Sequence, residues 1–227
     1  MSSPNIRTSG QLQNDRPAVF FAYLWIIAFI LLNLIQLICG LTWDSPGYSW
    51  RAQTIGELSG TGFPLNKALD YILVFQGAVI AVGVWAVKSL WRKSIFTTPA
   101  RALLTLAGLG YIVTGLWPVN IDTDAYAVFG YAPILLFGSA GLIITCVAMN
   151  NKRFPVLWAV SSLLGIVSFL FGFLYHIEIY FGLGKGIMER IWIYMPLIWS
   201  VLIACSILRA RANPDKYKPP SDINSLH

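Results

Sequence analysis

Charge is scarce in this chain. Only 11% of its 227 residues are charged, where a soluble domain carries about a quarter. Hydrophobic residues make up 56% and the mean hydropathy is +0.65, so most of the chain's solvent is lipid. The formal net charge of +6 does not mark a nucleic-acid binder. Its basic residues gather in particular short loops, not on one soluble face.

Cysteine and histidine are scarce too. Cys39, Cys146 and Cys205 all lie inside apolar runs, which argues for free buried thiols and against a disulfide framework. Histidine occurs only at positions 176 and 227. There is no His-Glu-x-x-His, no Walker loop and no nucleophile elbow. Asp122-x-Asp124 supplies too few oxygens to hold a divalent ion by itself. Neither a metal nor a cofactor is expected.

What the chain has in abundance is apolar runs. A span needs about 20 apolar residues to cross roughly 30 Å of hydrocarbon. Six runs approach this: 18–41, 71–87, 102–117, 127–149, 154–177 and 187–208. The first is too long for a signal peptide and is read as a retained span. Lipid leaves a free backbone amide without a partner, so each run should be a helix. The expected fold is an all-α, six-helix membrane domain over 18–208, with polar tails at 1–17 and 209–227. Residues 42–70 form its one long loop, and Thr54-Ile-Gly-Glu57 within it has the spacing of a capping box. Gly60 and Gly62 should end any helix there.

The charges of the loops alternate. Arg7, Arg16, Lys88, Arg92, Lys93, Arg101, Lys152, Arg153, Arg209, Arg211, Lys216 and Lys218 fall in the tails and alternate loops. The remaining loops hold most of the carboxylates. The positive-inside rule then expects both termini in the cytoplasm of a plasma-membrane protein, with loop 42–70 outside. Tryptophans near span ends, including Trp91 and Trp192, read as an interfacial belt.

Within the spans, small residues share helix faces: Ser161, Gly165, Ser168 and Gly172 on the fifth, Gly108 and Gly115 on the third. This favours close packing of helices. Asn33, Gln36 and Gln76 are expected to hydrogen-bond between helices. Pro196 should disturb the sixth.

Three stretches carry a family resemblance. They are Ala52-Gln-Thr-Ile-Gly-Glu-Leu-Ser-Gly60 followed by Phe63-Pro-Leu-Asn66, then Gly115-Leu-Trp-Pro118 before an acidic turn, and Gly186-Ile-Met-Glu-Arg190 leading to Pro196-Leu-Ile-Trp199. In order and spacing they resemble a bacterial and archaeal family of six-span membrane proteins catalogued as domain of unknown function 998. The resemblance implies a fold and a plasma-membrane address, and no activity. A His that often follows the acidic turn in that family is absent here, where the chain reads Asp122-Thr-Asp124-Ala-Tyr126.

The ionisable residues expected on the outer side are the candidate ligand-binding set: Arg51, Glu57, Asp122, Asp124, His176, Glu178, Glu189 and Arg190. A charge at the start of an apolar helix is costly unless paired, which singles out Glu189-Arg190. Arg190 is expected to snorkel or to pair with a loop carboxylate. The leading functional expectation is a protein that binds a lipid, another apolar molecule or a membrane partner on its outer side. An alternative is an enzyme acting on a lipid or isoprenoid, with Glu57 or Glu189 as acid and Tyr126, Tyr131, Tyr175 and Tyr194 shaping the pocket. A third is a secondary transporter, although no span has an ionisable residue near its centre. Membrane lipid is the expected partner, and a homo-oligomer is compatible with the sequence.

Overall fold

A computed structural model describes residues 15–43, 47–59, 65–117, 123–149, 154 and 156–212. Six helices are long and apolar enough to cross a membrane. They are α1 (Arg16–Leu41), α3 (Asn66–Ala86), α4 (Thr97–Leu116), α5 (Tyr126–Ala148), α6 (Leu157–His176) and α7 (Lys185–Ala212). A short helix, α2 (Ile55–Leu58), lies in the loop between α1 and α3. Each long helix packs on the next, and α7 returns to α1, so the six form a closed ring.

Several helices extend beyond their apolar runs. Helix α3 starts at Asn66, before the run that begins at Tyr71, so Lys67 and Asp70 are helical rather than loop. Helix α7 covers Lys185–Ala212 against a run of 187–208. Helix geometry tolerates polar residues in end turns, where the backbone is near water, so apolarity alone truncates the ends. Helix α5 contains π-helical turns at Tyr126–Tyr131 and Ile134–Gly138.

The small residues do bring backbones together. A Cβ on Gly108 would lie 2.7 Å from the Gly77 carbonyl oxygen, which fixes the crossing of α3 and α4. Ser161, Gly165, Ser168 and Gly172 are all buried on one face of α6. Pro196 has no N–H for the Trp192 carbonyl, one turn back. Ser168 supplies the missing donor at 3.0 Å, and the Tyr111 hydroxyl donates to the adjacent Ile193 carbonyl at 2.5 Å. Neighbouring helices thus satisfy the turn that proline disrupts, as lipid burial requires. Asn33 and Gln36 both bond the Tyr194 hydroxyl on α7. Gln76 is fully buried, and neither of its amide atoms has a partner among the described residues.

Buried apolar residues fall into two clusters. One includes Trp25, Trp91, Phe154 and Trp199; the other includes Ile55, Tyr111, Tyr126, Tyr131 and Trp192. Trp91 and Trp192 are therefore core residues and not part of an interfacial belt. Their ring area is covered by neighbouring helices, which a linear pattern of span ends does not reveal.

Candidate functional site

The second cluster lies at the end of the bundle that carries the 47–59 loop. This loop is a lid, and three local features shape it. Thr54 and Glu57 form the capping box that starts α2: the Thr54 N–H donates to Glu57 Oε2 at 2.9 Å, and the Glu57 N–H to Thr54 Oγ1 at 3.1 Å. Tyr48 rests its ring on Gly40 of α1, where a Cβ would lie 2.6 Å from the ring. Gly186 allows the lid backbone to lie against α7, with the Gly186 N–H donating to the Arg51 carbonyl at 3.0 Å. A Cβ on Gly186 would stand 2.6 Å from the Trp50 carbonyl oxygen. Gly60 and Gly62 lie outside the described residues.

Glu189 is completely buried beneath this lid. Its carboxyl accepts the N–H groups of Ile55 at 2.5 Å and Gly56 at 3.5 Å, and is bonded to the Tyr131 hydroxyl. Both lid amides belong to the open first turn of α2, where backbone donors lack helical acceptors. Glu189 thus caps a helix from another part of the chain.

Arg190 is 8% exposed and serves the same lid in the opposite sense. Its Nη1 donates to the carbonyls of Trp50 (3.2 Å), Gln53 (2.8 Å) and Gly186 (2.8 Å), and its Nη2 to the Tyr48 hydroxyl (2.5 Å). The guanidinium also lies 4.5 Å from the centre of the Trp50 ring. Burial pushes the Tyr48 hydroxyl up to about 12, against the lowering pull of Arg190, so it remains neutral at ordinary pH. Arg190 was expected to seek water or a carboxylate. It takes backbone carbonyls because the lid presents a row of them.

The rim is more exposed. Lys185 pairs with Glu57, the one salt bridge among the described residues. Arg51 Nη2 donates to the Gly182 carbonyl at 2.5 Å, in the turn between α6 and α7. Inside, Ile55 helps to line a small cavity with Leu73, Tyr111, Thr114, Tyr126, Tyr131, Ile134 and Ile193. It offers ≈ 10 Å³ to the centre of a water-sized sphere, room for about one water.

The model of the family described as a protein of unknown function (DUF998) matches residues 18–206. The chain belongs to that family. No curated protein and no solved structure matches it. The match takes in the lid and all six long helices except the first two residues of α1 and the last six of α7, so the site lies wholly within the DUF998 region.

Of the candidate residues in this DUF998 chain, the structure brings Arg51, Glu57, Glu189 and Arg190 together at the lid. None of the other described candidates is among the hydrogen-bond partners of the carboxyl, although the His176 ring lies 6.2 Å from that of Trp192. Asp124 is exposed in the short turn Thr123–Ala125 ahead of α5. His176 is exposed at the end of α6, its Nδ1 2.8 Å from the Gly172 carbonyl oxygen. Glu178 is exposed on the α6–α7 turn with φ of 60°. Asp122 lies outside the described residues. No group of three or more His, Cys, Asp or Glu side chains among the described residues is placed to hold a metal ion.

Sequence reasoning missed Lys185, Tyr48 and Trp50 as parts of the site. A signal existed for the first: Lys185 sits one helical turn ahead of Glu189, flanked by Gly184 and Gly186. The lid carbonyls gave no signal, since backbone acceptors occur at every residue. Chemically, the arrangement joins a buried carboxyl to a tyrosine hydroxyl. Such a pair can hold a cation or N–H donors, and it can pass a proton between oxygen atoms.

Proposed function

We propose that this chain is a binding protein of the plasma membrane that takes a lipid or other apolar molecule, or a membrane partner, beneath its lid. In this reading the lid faces the outside and both termini are cytoplasmic. The charge distribution supports that orientation. Among the described residues, Arg16, Lys88, Arg92, Lys93, Arg101, Arg209 and Arg211 fall at the helix ends remote from the lid; the lid side holds only Arg51, Lys67, Lys185 and Arg190, beside Glu57, Asp70, Asp124, Glu178 and Glu189.

The observation that carries the reading is the full burial of Glu189 beneath the 47–59 segment, from whose backbone amides it accepts hydrogen bonds. A carboxyl in the first turns of a membrane helix is costly to bury, and here only two lid amides and the Tyr131 hydroxyl offset that cost, with no cationic side chain among the described residues bonded to it. Here the carboxyl adjoins a cavity whose walls are apolar and aromatic, with Ile55 of the lid as one wall. Ligand sites have this composition: mainly apolar, with a few polar groups to orient the guest.

Native mass spectrometry of the protein released from its own membranes in mild detergent tests the reading. One stoichiometric apolar molecule, absent from Glu189→Gln, is the expected result. Bulk lipid alone on the wild-type chain would overturn it.

One contact favours a second reading, an enzyme that uses Glu189 as an acid on a lipid or isoprenoid. The Glu189–Tyr131 hydrogen bond is the kind of buried acid pair that can deliver a proton. This reading expects a chemically altered product to accumulate with wild-type protein and not with Glu189→Gln.

A further inference from the structure

We propose that the lid occupies, as an internal stand-in, a site for a zwitterionic headgroup: an ammonium for Glu189 and a phosphate for Arg190, carried on an apolar chain. The proposal rests on the lidded binding site above and names what that site takes.

Glu189 supplies the first half. It receives two N–H groups from the lid and the hydroxyl of Tyr131, and no cationic side chain among the described residues is bonded to it. Two N–H donors converging on one buried carboxyl are what a primary ammonium provides from a single nitrogen. The ammonium would also bring the charge that a buried carboxylate otherwise lacks.

Arg190 supplies the second half. Of its four acceptors, the Trp50 and Gln53 carbonyls and the Tyr48 hydroxyl belong to the lid segment. Only the Gly186 carbonyl belongs to its own helix. Its Nε is buried and has no partner among the described residues even with the lid closed. When the lid lifts, a planar fork of donors is left facing the vacated space, and that fork matches phosphate oxygens in pairs.

The apolar part follows from Ile55. Buried Ile55 is the lid's wall of the cavity that Leu73, Tyr111, Ile134 and Ile193 also line, so lifting the lid would open that apolar space to an acyl or alkyl chain. The ties at the lid's edge are exposed ones, Glu57–Lys185 and Arg51 to Gly182, and exposed pairs are weak. A bare isoprenoid or sterol would leave both Glu189 and Arg190 without partners. A trimethylammonium head has no N–H to offer, and an anionic head answers only to Arg190.

The test is a native mass-spectrometric titration of the full chain in mild detergent. The probes are short-chain phosphatidylethanolamine, phosphatidylcholine, phosphatidylglycerol and diacylglycerol, and free phosphoethanolamine. The expected result is one phosphatidylethanolamine bound about tenfold or more tightly than the choline or glycerol lipid, a discrimination typical of one lost charged hydrogen-bond set. Glu189→Gln should erase the preference over phosphatidylglycerol. Lys185→Met, which frees the lid's edge and touches neither headgroup residue, should tighten phosphatidylethanolamine binding, a gain that misfolding does not produce. Free phosphoethanolamine bound as tightly as the lipid would support the headgroup site and assign a soluble source. Equal, stoichiometric binding of all four lipids would overturn the headgroup assignment and leave the apolar-ligand reading intact. No stoichiometric binding by wild type or by Lys185→Met would overturn both.

Discussion

The two ends of this bundle solve the same problem differently. At the end remote from the lid, the core is largely apolar, and its buried polar side chains are neutral: indole N–H groups and hydroxyls such as those of Thr145 and Ser161. Trp25 donates to the Val79 carbonyl at 3.1 Å, Trp91 to the Val84 carbonyl at 2.8 Å, and Trp199 to Ser161 Oγ at 2.8 Å. Arg101 there lies between the rings of Trp85 and Trp91, at 5.5 and 5.3 Å. At the lid end a carboxyl and a guanidinium are buried, and a separate segment of chain supplies most of their partners. One end needs no charged side chain in its core. The other is arranged around two, and its closure depends on them. On the proposed reading, the charges that close this end are the ones a guest would satisfy.

The largest expected effect breaks the lid end alone. Glu189→Leu removes the acceptor of the Ile55 and Gly56 amides and of the Tyr131 hydroxyl. Deleting one partner of a buried charged set costs about 3–5 kcal/mol. Thermal unfolding in detergent should show that loss, and hydrogen exchange should show the Ile55 and Gly56 amides deprotected. Trp25→Phe at the remote end should leave those two amides protected. If it deprotects them equally, the two ends are not independent.

Gly56→Val is the next largest. A Cβ at Gly56 would lie 2.9 Å from the Tyr126 hydroxyl and 3.0 Å from that of Tyr131. Overpacking of this kind costs about 1–3 kcal/mol. The lid should lift while Glu189 keeps Tyr131, so Trp50 fluorescence should move toward that of a water-exposed indole. An unchanged spectrum would mean that the tyrosines yield and the lid stays seated.

The same contrast explains what was legible in the sequence. The six helices were legible because lipid forces apolarity on every span. The α2 cap was legible because Thr54 and Glu57 are three residues apart and the capping box is a local rule. The burial of Glu189 was not. Its acceptor role joins residues 134 apart, and its partners are backbone amides that no residue type advertises. Pro196 falls between these cases. Its disturbance of α7 was legible, but the repair by Ser168 and Tyr111 depends on which helices are neighbours in the ring. The sequence also grouped Asp124, His176 and Glu178 with the site. They share its end of the bundle, but their exposed side chains sit at helix ends and in a turn at the surface.

A smaller effect probes the remote end. Arg101→Ala removes a guanidinium from two tryptophan faces, each contact worth about 0.5–1 kcal/mol where partly exposed. The thermal midpoint should fall modestly, with no change in exchange at Ile55 or Gly56. A lid that loosens in this variant would show coupling along the length of the bundle.

The smallest effect is the most discriminating. Glu57→Gln keeps a side-chain oxygen for the Thr54 N–H, so the capping box survives, while the charge that faces Lys185 is lost. Both partners of that ion pair are well exposed, 44% and 36%, and such pairs contribute about 0.2–1 kcal/mol. The difference in thermal midpoint between wild type and variant should therefore be small, and it should shrink as salt rises, because exposed charges are screened over about 10 Å at 0.1 M. Lid exchange should quicken slightly at low salt only. A large, salt-independent loss would mean that the capping box needs the carboxylate itself and fails with the amide, so that Glu57 holds the lid through its cap. The rim and the buried pair would then belong to one rigid unit, not to a weak clasp over a strong site.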